Sequence, residues 1–264
     1  MKPFSALAAD VLHRIRGVFF DIDDTLTTEG RLTAQAYAAM ERLKDSGRIV
    51  VPLTGRPAGW CDHIARMWPV DAVVGENGAF YFHYDHETRE MRKRFLQSEQ
   101  ERAKHRRQLE ALRTIILSEV PGAGVSSDQL YREADLAIDY CEDVSPLPQA
   151  EVEKIVKLFE KAGATAKISS IHVNGWFGNY DKITMTRLMM REHFEINLDE
   201  AKDKFMFIGD SPNDAPSFAY FPHAVGVANI RDFANRLKTE PAYVTDKRCG
   251  GGFAEVVQAL LSAK

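Results

Sequence analysis

The stretch Gly17-Val-Phe-Phe-Asp-Ile-Asp-Asp-Thr-Leu-Thr27 decides the fold of this 264-residue chain. Glycine and three apolar residues come first, and acidic and hydroxyl side chains follow closely. A short apolar run of this kind predicts a buried strand with polar groups at its carboxyl end. Residues 48–54 and 204–210 repeat the pattern, and they end at Thr54 and Asp210. In a parallel sheet these polar residues would meet at the edge where ligands bind.

Helical patterns separate the predicted strands. Apolar residues recur at helical spacing in residues 33–46, and Gly47 ends this predicted helix. The same spacing follows Gly55-Arg56-Pro57 and returns in residues 182–194. Residues 71–74 and 224–227 predict further short strands, and residues 253–261 a final helix. Strands that alternate with helices predict an α/β fold with a doubly wound parallel-sheet core.

The pattern changes in the middle of the chain. Residues 98–120 and 148–162 predict helices, residues 80–84, 136–140, 165–169 and 171–177 predict strands, and residues 87–94 are rich in charge. This mixture predicts an inserted α+β domain. We therefore expect a Rossmann-like catalytic core from residues 1–84 and 180–264, with an α+β cap domain at residues 85–179 between them.

Composition excludes several classes of protein. The chain is 45% hydrophobic and 27% charged, with a formal net charge of -4 and a pI near 6.1, so neither nucleic acid nor an anionic membrane is an expected partner. The three cysteines are far apart and predict neither a disulfide framework nor a zinc site. Residues 4–12 predict an amphipathic helix rather than a signal peptide, and no segment approaches the roughly 20 apolar residues that span a bilayer. The expected location is the cytoplasm, and the oligomeric state stays open.

The acids after the first strand indicate the chemistry. A turn that begins at Asp21 would bring Asp21 and Asp23 to one pocket. A carboxylate is a competent nucleophile toward phosphorus, and it divides one difficult displacement into two easier ones. A second carboxyl group can protonate the leaving group and later deprotonate water.

A second motif, Gly209-Asp210-Ser211-Pro212-Asn213-Asp214, follows another apolar strand. Acids from two strand ends can share one Mg²⁺, which would reduce the repulsion between an anionic nucleophile and an anionic substrate. The Thr54 hydroxyl and the amides that follow it can donate to phosphate oxygens at a helix N-terminus. Lys182, where the chain re-enters the core, can neutralise charge on the transferring phosphoryl group.

Together these motifs resemble those of the haloacid dehalogenase superfamily over essentially the whole chain. The resemblance makes Asp21 the nucleophile and Asp23 the acid/base, with Thr54 and Lys182 in the second and third motifs. It implies that Asp21, the Asp23 carbonyl and Asp210 bind Mg²⁺, that Asp214 orients the water ligands of the ion, and that Asn213 lies close to the phosphate. Gly75-Glu76-Asn77-Gly78-Ala79 resembles the branch with a large α+β cap, which includes Cof-type, sucrose and mannosyl-3-phosphoglycerate phosphatases. We also expect Arg56 and Asn77 to bind substrate.

Two positions depart from the pattern of this branch. Asp24 stands where Gly is usual, and Lys182 is followed by Ile183 rather than by the usual Gly. Lys202 and Lys204 are therefore rival candidates for the lysine of the third motif. The resemblance implies a magnesium-dependent phosphatase for a small phosphorylated metabolite such as a sugar phosphate. A phosphomutase similar to phosphomannomutase, and an inactive regulatory binding protein, are the alternatives.

The last predicted strand of the cap indicates a substrate-binding face. His172, Asn174 and Trp176 alternate along it, so a regular strand would put all three on one side. An aromatic plate with two hydrogen-bonding side chains suits a polyhydroxylated leaving group. A bulge at Gly175 would break this alternation, and burial of Trp176 within the cap would remove it from the site. Gly250-Gly251-Gly252 predicts a flexible entry to the final helix rather than a phosphate-binding loop.

Overall fold

The structure is a computed structural model that describes residues 1–169 and 171–263. Within these residues the strands are, in chain order, β1 Lys2–Pro3, β2 Gly17–Phe20, β3 Ile49–Pro52, β4 Val73–Gly75, β5 Phe80–Asp85, β6 Glu90–Phe95, β7 Gly124–Val125, β8 Asp135–Asp139, β9 Thr165–Ile168, β10 His172–Trp176, β11 Phe205–Gly209, β12 His223–Gly226 and β13 Tyr243–Val244. The α-helices are α1 Ala9–Arg14, α2 Ala34–Asp45, α3 Ala58–Met67, α4 Glu99–Glu119, α5 Gln149–Lys161, α6 Lys182–His193, α7 Leu198–Ala201, α8 Ala215–Tyr220 and α9 Cys249–Ser262.

The first apolar run forms the inner strand β2 of a parallel sheet with the order β1-β13-β12-β11-β2-β3. On β2, Phe19 is paired with Phe207 of β11 and with Val51 of β3, and all three side chains are fully buried. A single bridge between Leu53 and Val74 places β4 beside β3. The residues that follow β2, β3 and β11 therefore meet at one edge of the sheet.

Two apolar clusters cover the two faces of this sheet. On one face, Val18 and Phe20 of β2 pack with residues of α2 and α9. On the other face, Phe19 packs with methionines of α6 and with Phe218 of α8. Burial on both faces explains why the strands are continuous apolar runs rather than alternating ones. The predicted doubly wound α/β core is confirmed.

The antiparallel hairpin of β5 and β6 pairs with β4 through β5. The boundary expected at residue 85 falls on the last residue of β5, and β6 lies within the charged segment for which no element was predicted. Phe82 and Phe95 of the hairpin belong to the first apolar cluster of the core or pack against it. The hairpin therefore lies with the core sheet and not with the strands of the insert.

The strands of the insert form an antiparallel sheet with the order β7-β8-β10-β9. One face packs on α4 and α5 through an apolar cluster that contains Val173 and Phe159. A Cβ at Gly175 would lie 2.1 Å from Phe159, so glycine allows this close packing. The register of β10 runs without interruption from His172 to Trp176 against β8, so Gly175 marks no bulge.

The two segments that connect the insert to the rest of the chain lie side by side. The Gln97 side-chain amide donates a hydrogen bond to the Phe177 carbonyl at 2.9 Å. The returning segment then passes directly against Gly78, where φ is +108° and a Cβ would lie 2.1 Å from the Asp181 carbonyl oxygen. This close crossing fixes the start of α6, which Asp181 caps by accepting from the Thr184 amide at 2.7 Å.

One sequence expectation was confirmed in part, and another was wrong. The helix predicted at residues 4–12 forms only from Ala9, as α1, whereas Phe4–Ala6 is a separate short turn, since Phe4 and Leu7 turn inward to the core. The three glycines at 250–252 lie inside α9 and give close packing rather than flexibility, because a Cβ at Gly250 would lie 2.6 Å from the Leu26 carbonyl oxygen. Among the described residues, no helix has the length and apolar character to cross a membrane.

Candidate active site

Three buried carboxylates converge at the carboxyl edge of the parallel sheet. Asp21 follows β2, Asp210 follows β11, and Asp214 lies in the turn that leads into α8. One oxygen from each lies within 4.8 Å of the others, although the residues are up to 193 positions apart in sequence. Carboxylate oxygens at this separation form a donor set that fits a hard divalent cation such as Mg²⁺.

Backbone and side-chain contacts hold two of these acids in place. Asp214 Oδ2 accepts from the Asp210 amide at 3.1 Å and lies over Gly209, where a Cβ would be only 2.6 Å from it. The Thr25 hydroxyl donates to Asp210 Oδ1 at 3.1 Å. Asn229 Nδ2 lies 3.5 Å from the other oxygen of Asp210. Asn229 was not predicted from the sequence, because it lies in a 3-10 helix, Ala228–Arg236, that carries no recognisable motif.

Lys182 provides positive charge to this cluster. Its Nζ lies 2.6 Å from Asp21 Oδ1 and 3.2 Å from Asp214 Oδ1. Burial raises the pKa of Asp21 to about 7, although the Lys182 ammonium opposes this rise. Burial, followed by the charges of Asp214 and Asp21, raises the pKa of Asp210 well above its ordinary value. The cluster thus has more negative charge than one ammonium offsets, which is the condition that a bound cation relieves.

The rival lysines lie elsewhere. Lys202 and Lys204 are in the turn before β11, at the opposite end of that strand from Asp210. The Lys202 ammonium lies over the Tyr220 ring. The structure therefore brings Lys182, and neither rival, to Asp21.

Asp23 lines the same small cavity as Asp21. Its carboxylate forms a bidentate ion pair with Arg56, whose Nη2 lies 2.8 Å from Asp23 Oδ1. Arg56 also lies 3.6 Å from Asp128 and 3.6 Å from Glu142, both of which belong to the insert. Arg56 therefore connects a core acid to the inserted domain across the cavity.

Thr54 is fully buried, and its Oγ1 accepts from the Arg56 amide at 3.0 Å. This bond fixes the loop after β3, which lines the cavity through Gly55 and Arg56. The unusual Asp24 has φ of +57°, a conformation that glycine adopts without strain, which explains the glycine common at this position in the branch.

The predicted cap residues lie on the face of the inserted sheet opposite α4 and α5, but they line two different cavities. His172 and Asn174 line the inner cavity that contains Asp21. His172 Nε2 lies 2.9 Å from Glu142, and Asn174 donates to Asp135 at 3.1 Å. Trp176 is fully buried, stacks on Tyr180 with a centroid distance of 5.7 Å, and lines the neighbouring cavity with Lys182. The strand register fits the prediction that these three side chains share one face of the sheet. Trp176 nevertheless does not reach the inner cavity, because it packs in the core.

The inner cavity has a volume of about 30 Å³, close to that of one water molecule. Asn77 and Asn213 line this cavity and also the neighbouring one. The conformation is therefore closed, since a cavity of this size has no room for a small organic ligand.

A buried network that the sequence did not predict holds the insert against the core. Glu76 is fully buried, and its carboxyl oxygens accept from the amide of Ala58 in the core and from the amides of residues 133–135 in the insert. Arg132 pairs with Asp128 at 2.9 Å and with Asp135 at 3.0 Å, and it donates to the Gly55 carbonyl at 3.0 Å. Burial raises the pKa of Glu76 to about 8, and Arg132 and the amide donors oppose this rise.

Part of this chain matches a model of a known protein family. The family model described as haloacid dehalogenase-like hydrolase matches residues 18–132, a range that contains Asp21, Asp23 and Thr54. The comparison with curated proteins gives no match for this chain.

Several solved structures share the fold. A protein from Plasmodium vivax described as a HAD/COF-like hydrolase is 17% identical, with a TM-score of 0.70 over 97% of this chain and 99% of that chain. The C-terminal domain of trehalose-6-phosphate phosphatase from C. albicans is 12% identical, with a TM-score of 0.69 over 98% of each chain. Sucrose-phosphatase from Synechocystis, in complex with sucrose and phosphate, is 15% identical, with a TM-score of 0.62 over 93% of this chain and 98% of that chain.

The resemblance to the haloacid dehalogenase superfamily is thereby confirmed by sequence over residues 18–132. The solved structures confirm the fold over nearly the whole chain. The prediction of an enzyme of the hydrolase class is confirmed with it.

Proposed function

We propose that this chain is a magnesium-dependent phosphatase that hydrolyses a small phosphorylated metabolite, with sugar phosphates as the expected substrates, through an aspartyl-phosphate on Asp21. One observation carries the proposal. The buried carboxylates of Asp21, Asp210 and Asp214 bring oxygens within 4.8 Å of one another, and the Lys182 ammonium lies 2.6 Å from Asp21. The solved phosphatases of the same fold support it.

Asp21 and Asp210 would hold Mg²⁺ together with the Asp23 carbonyl, and Asp214 would orient its water ligands. When bound, the ion supplies positive charge against the repulsion between the carboxylate nucleophile and the phosphate dianion. The donor set of three clustered carboxylates and the raised pKa of Asp210 support this assignment.

The residues of the chain account for both halves of the reaction. Asp21 attacks phosphorus, the bond from phosphorus to the leaving oxygen breaks, and Asp23 donates a proton to that oxygen. Water then attacks the phosphorus of the aspartyl-phosphate, Asp23 takes up the proton, and inorganic phosphate and free Asp21 are released. Lys182 stabilises charge on the transferring group, and Thr54 donates a hydrogen bond to its oxygens.

We further propose that residues 97–179 are the cap and that the remaining described residues form the catalytic core. A role for Asn77 in substrate binding is supported by its side-chain amide. The buried Nδ2 of Asn77 has no hydrogen-bond partner among the described residues, and Asn77 lines the inner cavity. Arg56, Asn213, His172 and Asn174 line the same cavity. Opening of the cap would release Arg56 from Asp128 and Glu142, whereas the ion pair between Arg56 and Asp23 lies within the core.

The direct test is hydrolysis of 4-nitrophenyl phosphate with Mg²⁺ or with excess chelator. We expect turnover only with Mg²⁺. Asp21→Asn should lower kcat by at least about 10³-fold, because an amide of the same shape is a poor nucleophile. Asp45→Asn, which changes an exposed aspartate outside the site, is the matched control.

Normal turnover in Asp21→Asn, or full activity in chelator, would contradict the proposal. Product analysis with sugar phosphates distinguishes the alternatives. A phosphatase releases inorganic phosphate, a phosphomutase yields an isomerised sugar phosphate, and an inactive binding protein yields neither.

A further inference from the structure

Lys167 differs from the other lysines that are at least partly buried. Lys44 pairs with Asp71, Lys154 donates to the Glu119 carbonyl, and the buried Lys182 pairs with Asp21 and Asp214. Lys167 is only partly exposed, yet its ammonium forms neither a hydrogen bond nor an ion pair with a described residue. Partial burial of an unpaired ammonium has a cost in free energy, so an anionic partner would be favourable there.

The position of Lys167 in the cap sheet directs its side chain toward the core. Lys167 of β9 is the register partner of Asn174 of β10, and directly paired residues of antiparallel strands share a face. This is the face that carries His172 to the inner cavity. Lys167 itself lines the neighbouring cavity together with Trp176 and Lys182.

A larger groove adjoins this cavity and shares Lys167, Asn213 and Pro216 with it. The outer groove lies between the cap and the core, and its lining includes Lys167, Asn213, Arg236 and Lys238. Its volume is about 540 Å³, within the range of small-molecule sites and far above the 30 Å³ of the inner cavity. Asn213 lines the inner cavity, the neighbouring cavity and the outer groove, so the three spaces adjoin one another.

The charges around Lys167 favour an anion on the outer side. Lys182 and Asp214 lie on its inner side and already pair with each other at 3.2 Å. The Asp181 carboxylate accepts from the Thr184 amide at the start of α6. Lys238 and Arg236 add two cations to the outer groove, and none of its lining residues is acidic. Burial, followed by the nearby charge of Lys182, lowers the pKa of Lys167, and a bound anion would oppose this effect.

We infer that Lys167 binds a second anionic group, a carboxylate or a phosphate, on the leaving-group side of the substrate. The inference rests on the proposed phosphatase function and narrows its substrate class. The phosphoryl group would lie at Asp21, and the leaving group would extend past Asn213 into the outer groove. Lys167 is then a specificity-determining residue, whereas His172 and Asn174 contact the part of the substrate nearer to phosphorus.

The test compares kcat/KM for matched substrate pairs. Glycerol 3-phosphate and 3-phosphoglycerate differ by a carboxylate, and fructose 6-phosphate and fructose 1,6-bisphosphate differ by a second phosphate. We expect the wild-type protein to prefer the charged member of at least one pair, and the preferred pair identifies the anion. Lys167→Met should reduce kcat/KM for that member by about tenfold or more, the effect of losing a hydrogen bond to a charged group. The neutral partner and 4-nitrophenyl phosphate should change less than about twofold, and Lys167→Arg should retain the preference.

Lys161→Met is the matched control, because Lys161 is an exposed lysine at the end of α5 in the same cap. Equal losses for charged and neutral substrates in Lys167→Met would overturn the inference, as would a wild-type protein without preference in either pair. Absence of magnesium-dependent turnover of 4-nitrophenyl phosphate would instead refute the proposed function, and this inference with it.

Discussion

Replacement of Glu76 by alanine tests the buried link between the core and the insert. The carboxyl oxygens of Glu76 accept from the Ala58 amide at 3.0 Å, the Glu133 amide at 2.9 Å, the Ala134 amide at 2.6 Å and the Asp135 amide at 3.2 Å. Alanine would leave these four amides without an acceptor. The loss is independent of the protonation of Glu76, because both oxygens disappear.

The expected destabilisation follows from these contacts. A buried donor left without a partner costs about 1–3 kcal/mol. Taking the lower value for each amide, because water can enter the vacated space, we expect the free energy of unfolding to fall by about 4 kcal/mol. Such a loss is a large fraction of the stability of an ordinary domain.

Urea unfolding at pH 7, followed by tryptophan fluorescence, measures this loss. Glu133→Ala is the matched control, since the Glu133 side chain is largely accessible and forms an ion pair with the exposed Arg106. The control should change stability by less than about 0.5 kcal/mol. A loss below about 1 kcal/mol in Glu76→Ala would refute the reasoning that these amides depend on Glu76. If Glu76→Ala fails to fold, Glu76→Gln, which keeps one acceptor oxygen, should show an intermediate loss.

Three further predictions address other parts of the molecule. Burial, and then the charges of His83 and Arg92, lowers the pKa of His193 to about 4. The unfolded chain therefore binds this proton more tightly than the folded protein, and stability is lost as the pH falls from about 6.5 to 4. In urea titrations, His193→Gln should lose less stability than the wild type over that pH interval. Asn229→Ala should weaken the activating effect of Mg²⁺ by about tenfold in a metal titration, because Asn229 supports an acid of the candidate metal site; an unchanged midpoint would remove that role. Gly78→Ala should lower the free energy of unfolding by at least about 2 kcal/mol more than Gly47→Ala does. Gly47 also has a positive φ, but it has open space where a Cβ would lie. Equal losses in the two variants would show that the close crossing at Gly78 does not contribute to stability.

Local patterns in the sequence predicted most of the core. The apolar runs before Asp21 and Asp210 became β2 and β11, and the helical spacing of residues 98–120 became α4 with a capping box between Ser98 and Glu101. These elements are predictable because burial of one face or of both faces leaves a periodic pattern. The hairpin strand β6 was missed because it is mostly exposed, and its arginines and lysine resemble a loop.

The acids of the candidate site were predictable for a related reason. Each follows a buried strand, so their meeting at one edge follows from the parallel sheet. The link between Glu76 and residues 133–135 was not predictable, because it joins segments about 57 positions apart without a local pattern. The packing of glycines 250–252 was missed for the opposite reason, since local propensity disfavours a helix there and tertiary contacts override it.

The side-by-side connections of the insert have a consequence for evolution and engineering. Since Gln97 and Phe177 are in direct contact, the insert leaves and re-enters the fold at nearly one point. A domain with adjacent ends can be removed or exchanged without pulling its host apart. A short glycine-containing loop that joins residue 97 to residue 178 would therefore be able to close the chain. The specificity of this scaffold could then be changed by grafting a different module at that single point, while the carboxylate cluster stays on the sheet that carries it.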